Sequence, residues 1–290
     1  MDLCDVRQIR AVLSRHGFTF SKSLGQNFLT AAWVPEEIAR QCGAGREDGV
    51  VEIGPGIGCL TRQLSRAAGQ VRAVELDRRL LPVLEETLAG CDNVRVIQGD
   101  VLKVDLAALC QREFDGRRVY ACANLPYYIT TPAITALLSC GAFAAITVMV
   151  QQEVARRICA PPGSRAGSAF SVYVDYLARA EYLFEVERGC FVPQPKVDSA
   201  VIRLTPRGAP KVAVREEGLF FSVVRAAFGQ RRKTLVNALS ALPGPKPDKE
   251  ELARWLEEMG LAPTVRGEAL STEQFAALSD RLWQLRQEQA

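Results

Sequence analysis

The chain has 290 residues, 48% of them hydrophobic and 24% charged, with a formal net charge of +3. That length is enough for two domains, or one large and one small, with a full core. The balance excludes disordered and fibrous classes, and the modest charge excludes a protein that coats nucleic acid. The longest nearly apolar run, residues 141–150, is about half of the roughly 20 residues a membrane-spanning helix needs, so no such helix is expected. The opening MDLCDVRQIR lacks the basic-then-apolar order of a secretory signal, so the protein is expected in the cytoplasm.

Before residue 50 there is room for one or two helices, at residues 6–15 and 31–41. From 50 to 151 short apolar runs alternate with longer amphipathic ones, the pattern of a parallel, doubly wound α/β sheet. Strands are expected at 50–53, 71–76, 94–97, 119–123 and 146–150, with helices at 60–68, 78–88 and 132–139 between them. Thr131 is placed to cap the last helix, with Pro132 at its first position. A polar Pro/Gly segment at 160–167 precedes a helix at 170–177 and two strand-like runs, 182–186 and 200–204, which can extend the sheet as an antiparallel pair. TPRGAP at 205–210 reads as a linker, which places an α/β domain at 1–206 and a small all-helical C-terminal domain at 207–290. Its helices are expected at 219–228, 231–242, 248–259 and 272–285.

Nine cysteines, an odd number with no two closer than Cys110 and Cys122, read as reduced and mostly buried thiols rather than a disulfide framework. The single histidine, His16, removes mechanisms that need two imidazoles, and without a CxxC no metal site is expected. No GxSxG is present, so a Ser/His/Asp hydrolase is also disfavoured.

The first functional motif is VVEIGPGIG at 50–58, a glycine loop directly after a strand and before a helix. Glycines there let the backbone approach a ligand closely. The spacing is GxGxG and not the GxGxxG of pyrophosphate-binding folds, which favours a cofactor without a pyrophosphate. Glu75, at the end of the second strand, is placed to accept from two ribose hydroxyls. Asp100, at the end of the third, can accept from an adenine amino group, with Val101 against the ring face. Each acid alone could be a helix cap; the ordered series converges on one nucleoside.

Asn124-Leu125-Pro126-Tyr127 follows the fourth strand on the same rim. An asparagine carbonyl and a neighbouring main-chain carbonyl, held by the proline, can accept both hydrogens of an NH2 group. That draws an exocyclic adenine nitrogen toward a tetrahedral geometry with its lone pair free to attack a methyl. If the cofactor is S-adenosylmethionine, alignment and exclusion of water do most of the work and no strong base is required. Tyr127 supplies one aromatic face for the base and Phe191, in a proline-flanked loop, the other; a core role is the alternative for Phe191.

In order and spacing, SLGQNFL (23–29), VEIGPGIG, AVELD, GDVL, NLPYYITTP, MVQQEVARRI and FVPQPKVDSAV resemble the rRNA adenine N6-dimethyltransferases of the KsgA/RsmA type, over nearly the whole chain. The resemblance implies a Rossmann-like class I methyltransferase sheet and dimethylation of two adjacent adenosines in the 3'-terminal hairpin of small-subunit rRNA, late in subunit assembly. It also implies that Gln26, Asn27 and Leu29 reach the methionine part of S-adenosylmethionine and that Gly54 and Gly56 approach its carboxylate and ribose. Glu75 would take the ribose hydroxyls, Asp100 the adenine amino group, and Asn124 would lie at the methyl. Cys59 inside the glycine loop and Gly229 within the basic stretch depart from the pattern without removing a functional group.

Charge is local. Residues 207–290 carry 13 basic and 11 acidic residues, a net of +2, yet Arg225, Arg231, Arg232 and Lys233 lie in a stretch free of acids. Such a cluster suits phosphate contacts. The partners that the resemblance implies are small-subunit rRNA and the pre-assembled small subunit; no membrane is expected, and monomer is the default state. The competing readings are an Erm-type methyltransferase of large-subunit rRNA, an idle nucleic-acid-binding module, and an NAD-dependent dehydrogenase.

Overall fold

The computed structural model describes residues 1–19, 25–230 and 232–289. Packing divides the chain into two units, 1–155 with 181–206, and 156–180 with 207–290.

The first unit is built on the sheet. Its strands are β1 (Phe28–Leu29), β2 (Gly49–Ile53), β3 (Gln70–Glu75), β4 (Val94–Gln98), β5 (Val119–Asn124), β6 (Phe143–Gln151), β7 (Ala178–Val186), β8 (Phe191–Val192) and β9 (Ser199–Pro206). Seven of them form one sheet in the order β4-β3-β2-β5-β6-β9-β7. The five expected strands run parallel, and β9 lies antiparallel to β6, with β7 beyond it, as the two later apolar runs suggest. The central strands β2 and β5 are buried on both faces, which is why GVVEI and VYACA read as continuous apolar runs instead of alternating ones. The helices α1 (Val6–Arg15), α2 (Trp33–Cys42), α3 (Cys59–Ala67), α4 (Leu81–Thr87), α5 (Leu106–Glu113) and α6 (Thr130–Ser139) supply its helical layers, and α7 (Gln152–Cys159) follows β6. In α3 the apolar stripe Leu60 and Leu64 is buried with Val50 and Val71, while Arg62 and Arg66 lie on the polar side.

Two details depart from expectation. The helix after NLPYY starts at Thr130 and not at Pro132; Ile129 occupies the cap position, so Thr131 caps nothing. The antiparallel pairing of β1 with β8, Phe28 to Val192 and Leu29 to Phe191, is invisible in a two-residue pattern.

The second unit is helical: α8 (Ala169–Leu177), α9 (Glu217–Gly229), α10 (Leu235–Leu239), α11 (Lys249–Glu258) and α12 (Thr272–Glu288). It claims residues 156–180, which the linker-based boundary gives to the sheet domain. The reason is the packing of α8: Val172 and Tyr176 are buried with Phe220, Val223 and Phe275, and Tyr176 stacks on Phe220 with ring centroids 5.0 Å apart. The helix expected at 231–242 is shorter, because Thr234 caps α10 and leaves Arg232 and Lys233 outside it. Arg231 lies outside the described residues.

Candidate active site

A cavity of about 240 Å³ opens at the carboxyl ends of β2, β3, β4 and β5. Open α/β sheets bind ligands at that edge. Of the residues singled out above, Gln26, Asn27, Leu29, Gly54, Gly56, Glu75, Asp100, Val101, Asn124, Tyr127 and Phe191 all line it. Arg225, Arg232 and Lys233 belong to the helical unit.

The glycine loop follows β2 directly. Gly54 and Gly56 have φ of +67° and +60°, where a side chain would be strained. A Cβ on Gly54 would meet no protein atom within 4 Å, so its backbone faces open space, whereas one on Gly56 would press to 3.1 Å from the Phe28 ring. Backbone bonds hold the neighbouring loops in register: Gly54 N–H donates to Val74 O at 3.0 Å, and Gly99 N–H to Glu75 O at 2.8 Å.

Two carboxylates under this loop are perturbed. Glu75, at the end of β3, is buried and its pKa is pushed up to about 7, even though its Oε1 accepts the Asp77 N–H at 2.7 Å. Glu52, inside β2, is almost completely buried, is pushed up to about 8 by burial, and has an Oε2 with no hydrogen-bond partner. A carboxyl group desolvated this way is costly unless something polar enters the cavity to meet it. Asp100, half-buried in the loop after β4, accepts the Leu102 N–H at 3.0 Å, and Val101 beside it is buried.

Asn124 closes β5. Its Nδ2 donates to the main-chain oxygen of Asn27 at 3.4 Å, which turns Oδ1 into the accepting end of the amide. Asn27 Nδ2 in turn donates to Gly25 O at 3.1 Å. Gln26 spends its amide on Asp77, donating at 3.0 Å, and Asp77 is ion-paired with Arg79 at 2.7 Å. The N-terminal segment is thus laced to the rim by Asn124 and Asp77, long-range partners that a linear motif does not show.

Tyr127 is half-buried in a single 3₁₀ turn, its hydroxyl 2.8 Å from Ser199 Oγ, and burial raises its pKa. With the hydroxyl engaged, the ring is what it offers the cavity. Phe191 is a core residue as well as a wall: it pairs with Leu29 across the β1–β8 ladder and packs with Val34 and Ile38. His16 bonds Glu86 at 2.8 Å and takes no part in the cavity.

Three residues inside the motifs carry no role in the sequence reading yet belong to the site. Leu76, Leu102 and Tyr128 all line the cavity while remaining 46%, 43% and 55% exposed. Exposed apolar side chains gathered at one mouth mark a ligand surface. Glu52 was legible in retrospect as a carboxylate inside an otherwise apolar strand, and Tyr128 as a second ring in a turn after a strand.

These residues fit S-adenosylmethionine. The backbone at Gly54 faces open space, and Glu75 and Asp100 place carboxylates at or just beyond successive strand ends along the cavity, acceptors of the kind that the hydroxyls and amino group of a nucleoside need.

The profile of the ribosomal RNA adenine dimethylases matches residues 17–283. The chain is 48% identical over 289 residues to the ribosomal RNA small subunit methyltransferase A of Geobacillus thermodenitrificans, covering 98% of each chain, and 48% identical over 284 residues to that of Bacillus mycoides, covering 97% of each. Among solved structures it is similar to a dimethyladenosine transferase from Plasmodium falciparum, with a TM-score of 0.70, 25% identity, and 86% of this chain and 95% of that one covered. It is also similar to the 23S rRNA methyltransferase ErmE, with a TM-score of 0.68, 27% identity, and 88% and 99% covered.

Proposed function

The chain belongs to the ribosomal RNA adenine dimethylase family, and on that premise we propose that it dimethylates N6 of two adjacent adenosines in the 3'-terminal hairpin of small-subunit rRNA, using S-adenosylmethionine. The observation that carries this reading is the Asn124 amide, oriented by the Asn27 carbonyl and opening into the same cavity as Glu75 and Asp100.

When bound, S-adenosylmethionine supplies a methyl made electrophilic by a sulfonium. Glu75 would accept the ribose hydroxyls, Asp100 the adenine amino group, and Val101 would pack on the ring; Gln26, Asn27, Leu29, Gly54 and Gly56 would form the wall at the methionine end. Asn124 Oδ1 and the Leu125 main-chain carbonyl accept the two N–H bonds of the extruded base. Their grip localises the nitrogen lone pair and holds it in line, so the residues contribute orientation and dipoles in place of a strong base. The proton, acidic once the nitrogen is quaternised, leaves to solvent. Tyr127 covers one face of the base and Phe191 borders the other.

Arg225 and Lys233 with Arg232 present exposed cations for phosphates; Arg231 is assigned with them on sequence alone. Such a small cluster gives weak affinity for naked RNA, which favours recognition of a folded, pre-assembled small subunit. We place the protein in the cytoplasm as a monomer; no helix among the described residues is long and apolar enough to cross a membrane.

The test is mass spectrometry of ribosomal RNA after particles from cells lacking this protein are incubated with it and labelled cofactor. Two doubly methylated adenosines in small-subunit rRNA are expected. The second reading, a large-subunit enzyme, rests on the likeness to ErmE and predicts dimethyladenosine in large-subunit rRNA instead. The higher identity to small-subunit enzymes favours the first.

A further inference from the structure

No residue of MVQQEVARRI, 149–158, lines the cavity. Its first three residues end β6, and there they border both segments that carry the aromatic walls. Met149 pairs with Asn124 on β5, and its main-chain oxygen accepts the Leu125 N–H at 3.1 Å. Gln151 pairs with Ser199 at the start of β9, and the Gln152 N–H donates to Asp198 O at 3.0 Å. The end of β6 thus sets the Tyr127 turn beside Ser199, and their two hydroxyl oxygens, 72 positions apart along the chain, lie 2.8 Å from each other.

The two walls are held differently. Phe191 is fixed through the backbone: it pairs with Leu29 across the β1–β8 ladder, the Thr30 N–H donates to Cys190 O at 2.8 Å, and Asp198 Oδ1 accepts the Arg188 N–H at 2.9 Å, closing the loop that carries the ring. Tyr127 opens a three-residue 3₁₀ turn, Tyr127–Ile129, a geometry with poorer hydrogen bonds than an α-helix, and its ring is only half-buried. Ser199, by contrast, is buried at the head of β9 with Ala200, Val201 and Ile202.

We infer that Ser199 is a positioning residue that aims the Tyr127 ring at the target base and thereby carries the reaction through its second methyl transfer. The inference rests on the adenine reading of the cavity. A phenol oxygen lies on the long axis of its ring, so a bond to it fixes where the axis points and leaves rotation about that axis to the neighbours. An extruded base is oriented by stacking and by hydrogen bonds to its edge. In the first transfer the amino nitrogen offers two N–H groups to Asn124 Oδ1 and the Leu125 carbonyl. Once one methyl is in place a single N–H remains, and the aromatic walls carry a larger share of the alignment. A Tyr127 ring that drifts therefore impairs the second transfer more than the first.

Ser199→Ala and Tyr127→Phe both remove the bond and keep the ring. Assayed on particles from cells lacking this protein, each should raise the KM for particles about fivefold and make N6-monomethyladenosine accumulate, with the cofactor dissociation constant unchanged. The double variant should be no worse than either single one, because both remove the same contact. An unchanged monomethyl share in Ser199→Ala, losses that add in the double variant, or weakened cofactor binding in Ser199→Ala would each overturn the proposal. With 3-fluorotyrosine placed at position 127, the fluorine resonance should be broad, as for a held ring, in the parent and narrower in Ser199→Ala; equal widths would also overturn it. If the parent transfers no methyl to RNA, the functional reading fails instead, and the fluorine resonance still decides whether Ser199 holds Tyr127.

Discussion

The two units begin their helices differently. In the helical unit each of α8 to α12 carries a side-chain cap: Ser168, Glu216, Thr234, Asp248 and Ser271, with full capping boxes at α8 and α12. In the sheet unit α1 and α5 are capped by Asp5 and Asp105, but α2, α3, α4 and α6 have no side-chain cap, and of these the starts of α3, α4 and α6 border the cavity while that of α2 does not. A capped terminus has spent its N–H groups on stability; an uncapped one keeps them for a ligand. The buried carboxylates follow the same division, since Glu52 and Glu75 are both desolvated in the sheet unit, along the cavity. The difference teaches that one half of the chain is built to be finished by folding and the other by binding.

The sharpest way to break this contrast is Asn124→Ala. It should reduce methyl transfer by about a thousandfold, ~4 kcal/mol, while the cofactor dissociation constant stays within a few-fold. Equal loss of both would make Asn124 a binding residue only.

Glu52 sharpens it through pH. Its folded pKa of about 8 lies above the ordinary 4.5, so the folded state holds the proton more tightly, and stability of the cofactor-free protein falls as pH rises from 4.5 through 8. The group accounts for about 4 kcal/mol over that window. Glu52→Gln should flatten the decline in a chemical denaturation series; an unchanged slope would mean that Glu52 stays ionised in the fold.

Glu75, at about 7, must give up its proton to accept ribose hydroxyls. Cofactor affinity should therefore improve by up to about tenfold per unit as pH approaches 7 from below and level off above it. Isothermal titration at several pH values reads this directly, and Glu75→Gln should weaken binding and remove the dependence.

The helical unit predicts smaller effects. Reversing charge at Arg232 and Lys233 should lower the salt slope of RNA binding by about 1.5 in log–log terms without touching cofactor affinity. Ser271→Ala should cost about 1 kcal/mol in thermal unfolding, again with cofactor binding unaltered. A cap variant that weakened cofactor binding would erase the distinction between the units.

The parallel strands, the order of the three cofactor motifs and NLPYY were determined by the sequence itself. Their information is local: apolar periodicity, glycine after a strand end, and a carboxylate or amide at or just beyond the end of the next strands. Only the tertiary structure decided that Gln26 is spent on Asp77, that Asn124 is oriented by Asn27, that Phe191 is anchored opposite Leu29, and that 156–180 joins the helical unit through α8. These depend on partners far apart along the chain and on burial. The same burial perturbs Glu52 and Glu75, because desolvation is set by everything packed around a group and not by its sequence neighbours.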